Sequence, residues 1–233
     1  MGKGAIACSA ILAAGLVLSS IILVKPSVLL KRAEGVKVKG VAVERVMSDA
    51  ADWSGTIAAR GPTIEAAMKL LNAGVGAARA QFDGDGVKNV EFSGARVNCV
   101  AKQKSNDIDF YEAFASLSCS MADISTARKL EESVARLLEK GVGISSGPVN
   151  YYYTKIEGLK MKLLAAASAN ARSRALELVR GSGSELGGVV SASQGVFQIT
   201  RPLSTDVSDW GSYDVSSVEK EVKCVVTIEF SCK

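Results

Sequence analysis

Apolar and polar positions alternate most regularly near the end of the chain: Val222, Cys224, Val226, Ile228, Phe230 and Cys232 face one way, and Lys223, Thr227, Glu229 and Ser231 the other. A period of two is that of a strand with one buried face, and it predicts a strand over residues 222–232. The same alternation runs over residues 110–121, with Ala113, Ala115, Leu117, Cys119 and Met121 opposite Glu112, Ser116, Ser118 and Ser120. An antiparallel sheet that packs on helices with one face and meets water with the other gives this pattern. Residues 90–101 are expected as its hairpin partner around a turn at 102–109. Residues 36–46 alternate with a change of phase at Gly40, which reads as a strand with a bulge or a close backbone approach. Three further strands are expected at 53–59, 149–154 and 189–200, that at 149–154 from its aromatic and β-branched content.

Between the strands the period changes to that of a helix. Gly61, Pro62 and Thr63 supply a stop, a stiff residue and an N-cap, after which Ile64, Ala67, Met68, Leu71, Val75 and Ala78 recur at helical spacing until the turn Asp83-Gly84-Asp85-Gly86. A second helix, capped by Asp123 or Ser125, presents Ala127, Leu130, Val134, Leu137 and Leu138 on one side and stops at Gly141. A third runs over 157–180 and ends at Gly181 and Gly183; its Ala165, Ala166, Ala167, Ala169 and Ala171 allow close approach to whatever it packs on. The order of elements predicts an α+β fold: one mainly antiparallel sheet with helices packed on one face, forming a single domain over residues 36–233.

The start of the chain differs in kind. Residues 4–24 carry no charged side chain and as a helix reach about 30 Å, the hydrocarbon thickness of a bilayer. Lys25 and Pro26 end the run and no small-x-small site follows, so residues 1–25 are expected to be an uncleaved transmembrane anchor, with residues 26–35 a juxtamembrane linker. The basic cluster Lys25, Lys31, Arg32, Lys37 and Lys39 then reads as a contact with lipid headgroups. Cys8 does not fit a lipidation site, because only seven residues precede it and Ala5 stands where a larger aliphatic residue belongs; a free thiol within the membrane is expected. The excess of basic residues after the anchor, taken alone, favours a cytoplasmic domain.

Composition narrows the chemistry. With 48% hydrophobic but only 6% aromatic residues, the core must consist largely of Val, Ala, Leu and Ile. The net charge of +4 is dispersed, and no Lys/Arg stripe interleaves with aromatics, so nucleic acid is not an expected partner. The chain has no histidine, which removes the commonest general base and the commonest transition-metal ligand. Cys99, Cys119, Cys224 and Cys232 have no CxxC spacing; they form either two disulfides or four buried thiols, and Cys224 and Cys232 are too far apart on one strand to bond each other. Asp83-Gly-Asp-Gly opens like a calcium loop, but Val87, Lys88 and Gly94 occupy ligand and glycine positions, so it is a turn. The glycine-rich run from Gly181 follows a helix instead of preceding one and reads as a helix stop, not a phosphate cradle. No catalytic, cofactor-binding or metal-ligating residue is assigned, and no cofactor is expected.

The loop over residues 201–218 is long for a structureless connection and carries Trp210 and Tyr213 among Asp206, Asp209 and Asp214. Three spaced aspartates are a poor metal site on spacing alone. The loop either folds over its own sheet or reaches a neighbouring subunit, with Trp210 as anchor and Tyr213 and Val207 as further candidate oligomer contacts.

Residues 165–180, the run Gly-Ser-Glu-Leu-Gly-Gly-Val-Val-Ser, then Val207-Ser-Asp-Trp-Gly-Ser-Tyr-Asp and Val218-Glu-Lys-Glu-Val together resemble the SIMPL-domain family, of the YggE-like, periplasmic immunogenic type. Val38-Lys-Gly, Asp49-Ala-Ala-Asp-Trp and Gly61-Pro-Thr-Ile-Glu-Ala-Ala extend the likeness towards residue 36. The resemblance implies an α+β envelope protein of bacteria, anchored or exported, and overrules the charge count on orientation. The uncleaved anchor and the extra cysteines have no place in the family pattern; the anchor read from the residues makes the expected protein single-pass in the inner membrane with its C-terminal domain in the periplasm. The resemblance further implies assembly into a ring or cage and no established reaction; links to oxidative stress belong to relatives. The function expected is therefore that of a non-enzymatic, self-assembling membrane-anchored protein. The alternatives are a ligand-binding or chaperone-like periplasmic module and an enzyme that uses carboxylates alone.

Overall fold

The computed structural model describes residues 15, 19, 35–102, 107–205 and 208–232. The expected anchor, apart from the isolated positions Gly15 and Ser19, lies outside the described residues, as do the linker up to residue 34, the tip of the 102–109 turn, and Asp206 and Val207. Among the described residues no helix is long and apolar enough to cross a membrane.

The fold is α+β, with two mostly antiparallel sheets in place of the one expected and, among the described residues, three helices. In chain order the elements are β1 (Gly35–Met47), β2 (Ala50–Gly61), α1 (Ile64–Gly84), β3 (Val90–Phe92), β4 (Arg96–Ala101), β5 (Ile108–Met121) and α2 (Ser125–Glu139). These are followed by β6 (Ile144–Ser146), β7 (Asn150–Tyr152), α3 (Ile156–Arg180), β8 (Leu186–Gln194), β9 (Gln198–Thr200), β10 (Ser212–Tyr213) and β11 (Glu219–Cys232). Two compact units result, one of Val41–Ala167 with Gly195–Val225, the other of Ser168–Gln194 with the described parts of Met1–Gly40 and Val226–Lys233.

The larger unit is built on a sheet in the order β3-β5-β2-β6, with β4 also on β5 and β7 also on β2. β2 and β5 pair antiparallel from Ala51↔Met121 to Gly61↔Tyr111. This register sets Trp53 opposite Cys119 and Ile57 opposite Ala115 on the buried face, and Ser54 opposite Ser118 and Thr56 opposite Ser116 on the other. Against the apolar face lie Ala67, Leu71, Ala78 and Phe82 of α1 and Ala127, Leu130, Val134 and Leu137 of α2. Full burial of each such leucine stabilises the fold by about 1.5–3 kcal/mol. Trp53 is the largest of the core side chains: its ring meets Phe82 edge-on at 6.3 Å and its Nε1 donates to Ser146 Oγ at 2.8 Å. The indole lies directly over Gly55, where an added Cβ would come within 2.7 Å of the ring.

Helix boundaries follow local chemistry. Thr63 caps α1, its hydroxyl accepting from Ala66 N at 3.2 Å. Neither cap expected for α2 holds the N-cap position, which is Ile124 and makes no side-chain cap; one residue earlier the Asp123 carboxylate accepts from Ser125 N at 2.9 Å and Ser125 Oγ at 2.6 Å. Leu138 departs from the expected core face: it is 53% exposed, because it follows Leu137 by 100° of helix rotation while the buried stripe of Ala127, Leu130, Val134 and Leu137 already covers the contact.

In the smaller unit, β8 pairs antiparallel with the end of β11, from Val226↔Gln194 to Cys232↔Leu186, with register shifts flanking Phe230. Val226, Ile228 and Phe230 are buried there, as are Ala171, Ala175 and Val179 on one stripe of α3. Arg174 Nη1 donates to the Lys39 carbonyl oxygen at 3.1 Å, which ties α3 to β1.

Several expected elements are subdivided. The 90–101 strand is two strands, β3 and β4, because Ser93-Gly94-Ala95 leaves the ladder and Ser93 Oγ instead accepts from Ser116 N at 2.9 Å. The 189–200 strand breaks at Gly195 into β8 and β9. Through β1, burial keeps one phase across Gly40: Val43 and Met47 share the exposed side with Lys37 and Lys39. Of the five alanines expected to pack, Ala167 and Ala171 are buried and Ala165, Ala166 and Ala169 are exposed. The four described cysteines are free thiols; Cys119 and Cys224 are buried, whereas Cys99 is exposed and Cys232 half-buried, so the reading of four buried thiols is corrected.

Candidate functional site

The loop between β9 and β11 is anchored from beneath by polar side chains. Gln198, buried at the start of β9, donates from Nε2 to the Ser208 carbonyl oxygen at 2.6 Å and accepts from Ser208 N at 3.4 Å. Gly211 has φ +91°, a conformation L side chains rarely adopt, and donates to the Ser208 carbonyl oxygen at 3.1 Å. This reversal lets Ser212 and Tyr213 run parallel to β9, opposite Gln198 and Ile199, and Asp214 N donates to the Ile199 carbonyl oxygen at 2.8 Å.

The descending limb is held by Asp214 and Lys220. The Asp214 carboxylate accepts from the backbone and hydroxyl groups of both Ser216 and Ser217. Burial opposes its charge, but the hydrogen bonds from Ser217 and Ser216, with Lys220 nearby, outweigh that and hold its pKa at about 2. Lys220 Nζ donates to the carbonyl oxygens of Asp214 at 2.6 Å and Ser217 at 2.8 Å. Burial pushes the ammonium group below the ordinary lysine range, and the Asp214 charge offsets part of that. Two backbone bonds complete the attachment: Ser48 N to Val218 O at 2.9 Å and Tyr151 N to Val215 O at 2.7 Å.

On this pinned base two large apolar side chains are left in water. Trp210 is 96% exposed and Leu203 84%, the latter with φ +63°, a left-handed backbone unusual for leucine. Tyr213 is 46% exposed and its ring lies 6.5 Å from that of Tyr152. The loop therefore lies on its own sheet through its polar groups while presenting Trp210 outward. Sequence reasoning singled out Trp210 and Tyr213; Val207 falls outside the described residues. It missed Leu203, Gln198 and Lys220, whose parts depend on burial and backbone geometry that no periodicity announces.

The sequence turns behave as expected in part. Asp85 caps the end of α1, where its carboxylate accepts from Ser133 Oγ at 2.6 Å and Gln81 Nε2 at 2.7 Å and pairs with Arg136 at 3.2 Å. Gly183 has φ +73° directly after α3. Among the described residues no group of three or more Cys, Asp or Glu is placed to hold a metal ion.

A second feature of the larger unit is a groove of about 440 Å³ between α1 and β2, lined by Ile57, Ala59, Arg60, Leu70, Ala73 and Val142 among others.

A family model described as SIMPL, protein of unknown function (DUF541), matches residues 36–230. No curated protein matches the chain.

Proposed function

Since the chain belongs to the SIMPL family, we propose that it is a membrane-anchored bacterial envelope protein whose periplasmic domain works by assembling with further copies of itself, in a ring or cage, and not by catalysis. The observation that carries this reading is Trp210: an indole that is 96% exposed at the tip of a loop whose base is fixed by Gln198, Asp214 and Lys220. A side chain of this size buries about 200 Å² when covered, and presenting it from an already ordered base limits the entropy lost on association. Tryptophan is also the residue type most enriched at the energetic centres of protein interfaces. The uncharged run over residues 4–24 supports the tether, and the absence of histidine from the sequence supports a role outside acid–base catalysis. A part in envelope or oxidative-stress protection is proposed only at the level of the family likeness.

Two measurements test it. Sedimentation velocity of the detergent-extracted full chain should give a mass several times that of one chain at micromolar concentration; a single-chain mass at every concentration refutes assembly. Cell fractionation should recover the protein in the inner membrane with its first residues intact, and protease added to spheroplasts should remove the domain. Mature protein in the soluble fraction without those residues refutes the tether.

A further inference from the structure

Trp210 is a projecting side chain without cover among the described residues, and the same unit carries a vacant apolar groove. β2 forms the groove floor through Ile57, Ala58, Ala59 and Arg60; Leu70, Ala73 and Gly74 of α1 form one wall, and Gly141, Val142 and Gly143 the other. Small residues keep it open. A Cβ at Gly74 would come within 3.2 Å of Ile57 Cγ2, and one at Gly143 within 2.6 Å of the Ala58 carbonyl oxygen. The space of about 440 Å³ is ample for one indole with part of its loop. Leu70, 56% exposed, stands at the lip.

Charge complements shape. Residues 201–218 contain Asp206, Asp209 and Asp214 against Arg201 alone, and with Asp214 engaged by Lys220, Asp209 remains beside Trp210. At the groove edge Arg60 is paired with Glu112 at 2.9 Å, and the cation on offer is Lys69, exposed one helical turn before Ala73 on the same side of α1. The acidic flank of Trp210 works against insertion into an anionic lipid surface, so the observations favour a protein groove of opposite sign.

We infer that Trp210 of one copy seats in the groove formed by Ile57, Arg60, Leu70, Ala73 and Val142 of a second copy. This inference rests on the self-association proposed above and specifies the surfaces. Knob and groove are different parts of the same chain, so the contact is head-to-tail. Repeated, it closes into a ring when the rotation per step divides a full turn, and otherwise runs on as a filament.

The test uses native mass spectrometry of the full chain in a non-ionic detergent, with Trp210→Ala lacking the knob and Ala73→Phe filling the groove. Leu70→Glu serves as a second groove variant; positions 70 and 73 are exposed, and circular dichroism checks their folding. Each variant alone should be monomeric, with the association constant reduced by at least about thirtyfold, as for loss of an interface hot spot. A mixture of Trp210→Ala with Ala73→Phe should give one-to-one heterodimers and nothing larger, since one intact knob meets one intact groove and the chain of contacts then ends. Because the sequence has two tryptophans and Trp53 is buried, emission reports Trp210: it should move to shorter wavelength on assembly and revert on dilution in the parent, and not in Leu70→Glu.

Both groove variants assembling like the parent while Trp210→Ala is monomeric would overturn this pairing and leave self-association standing. A monomeric parent would remove both. An emission shift that follows detergent concentration and is unaffected by Leu70→Glu would mean that Trp210 contacts amphiphile, and would also overturn the pairing.

Discussion

Lys220, fully buried, donates to the carbonyl oxygen of Asp214 at 2.6 Å and lies 3.8 Å from the carboxylate of the same residue. A buried ammonium group is costly unless its protons are satisfied, and here the carbonyl oxygens of Asp214 and Ser217 take two of them. The pair thus closes the base of the loop that presents Trp210.

A pH dependence follows. Asp214 has a folded-state pKa of about 2 against an ordinary 3.8, so the folded state favours its ionised form. Stability from this group is present above the unfolded value and is lost as pH falls through the folded one. Asp214→Asn should therefore be less stable than the parent at neutral pH, by about 2 kcal/mol, with the gap closing between roughly pH 4 and pH 2. Urea unfolding at a series of pH values measures it; a gap that stays constant down to pH 2 would show that the carboxylate charge contributes nothing.

Gly55 is required by Trp53. A methyl group at residue 55 would sit 2.7 Å from the indole, and the ring cannot withdraw while Nε1 is bonded to Ser146. Gly55→Ala should destabilise the larger unit by about 1–3 kcal/mol, the usual cost of overpacking a close-packed core. It should also change the near-ultraviolet circular dichroism of Trp53. An unchanged denaturation midpoint would mean that the strand absorbs the methyl group without cost.

Ser133 and Asp85 join α2 to the end of α1. Ser133 is buried and donates to Asp85 Oδ2 at 2.6 Å. The Ser133 and Gln81 hydrogen bonds, with Arg136 and Lys140 adding their charge, hold the Asp85 pKa below the usual aspartate value despite partial desolvation. Ser133→Ala and Asp85→Asn should each destabilise the fold, and the double variant by less than the sum of the two, since both remove one interaction. Additive effects would show that the residues act separately.

The parts of the fold legible in the sequence are those where one periodicity runs unbroken and a local cap or turn closes it. β11, β5 and α1 with Thr63 are of this kind, because alternation or a helical stripe there is set by a single large core. β6 was not legible: three residues, Ile144–Ser146, give no period, and they join the sheet by pairing with Ile57, Thr56 and Gly55 of β2, with Ser146 Oγ accepting from Trp53 Nε1. Leu138 misled for the opposite reason, being an apolar side chain that stands in water beside a stripe already filled. In the loop, Trp210 was visible as an isolated aromatic, but Leu203 and Lys220 were not. Burying a lysine beneath a loop, and turning a leucine outward in a left-handed conformation, are decided by hydrogen bonds between residues far apart in pattern.

Trp210→Ala separates assembly from folding. Since the indole is 96% exposed, its removal deletes almost no intramolecular contact, and the melting temperature of the domain itself should stay close to that of the parent. The most direct measurement is mass photometry of the detergent-extracted full chain, parent and Trp210→Ala side by side. The expected result is a parent population of one defined multiple of the chain mass and a variant population at or near one chain. Equal masses for the two proteins, whether both monomeric or both assembled, would contradict a function carried by Trp210-mediated self-association.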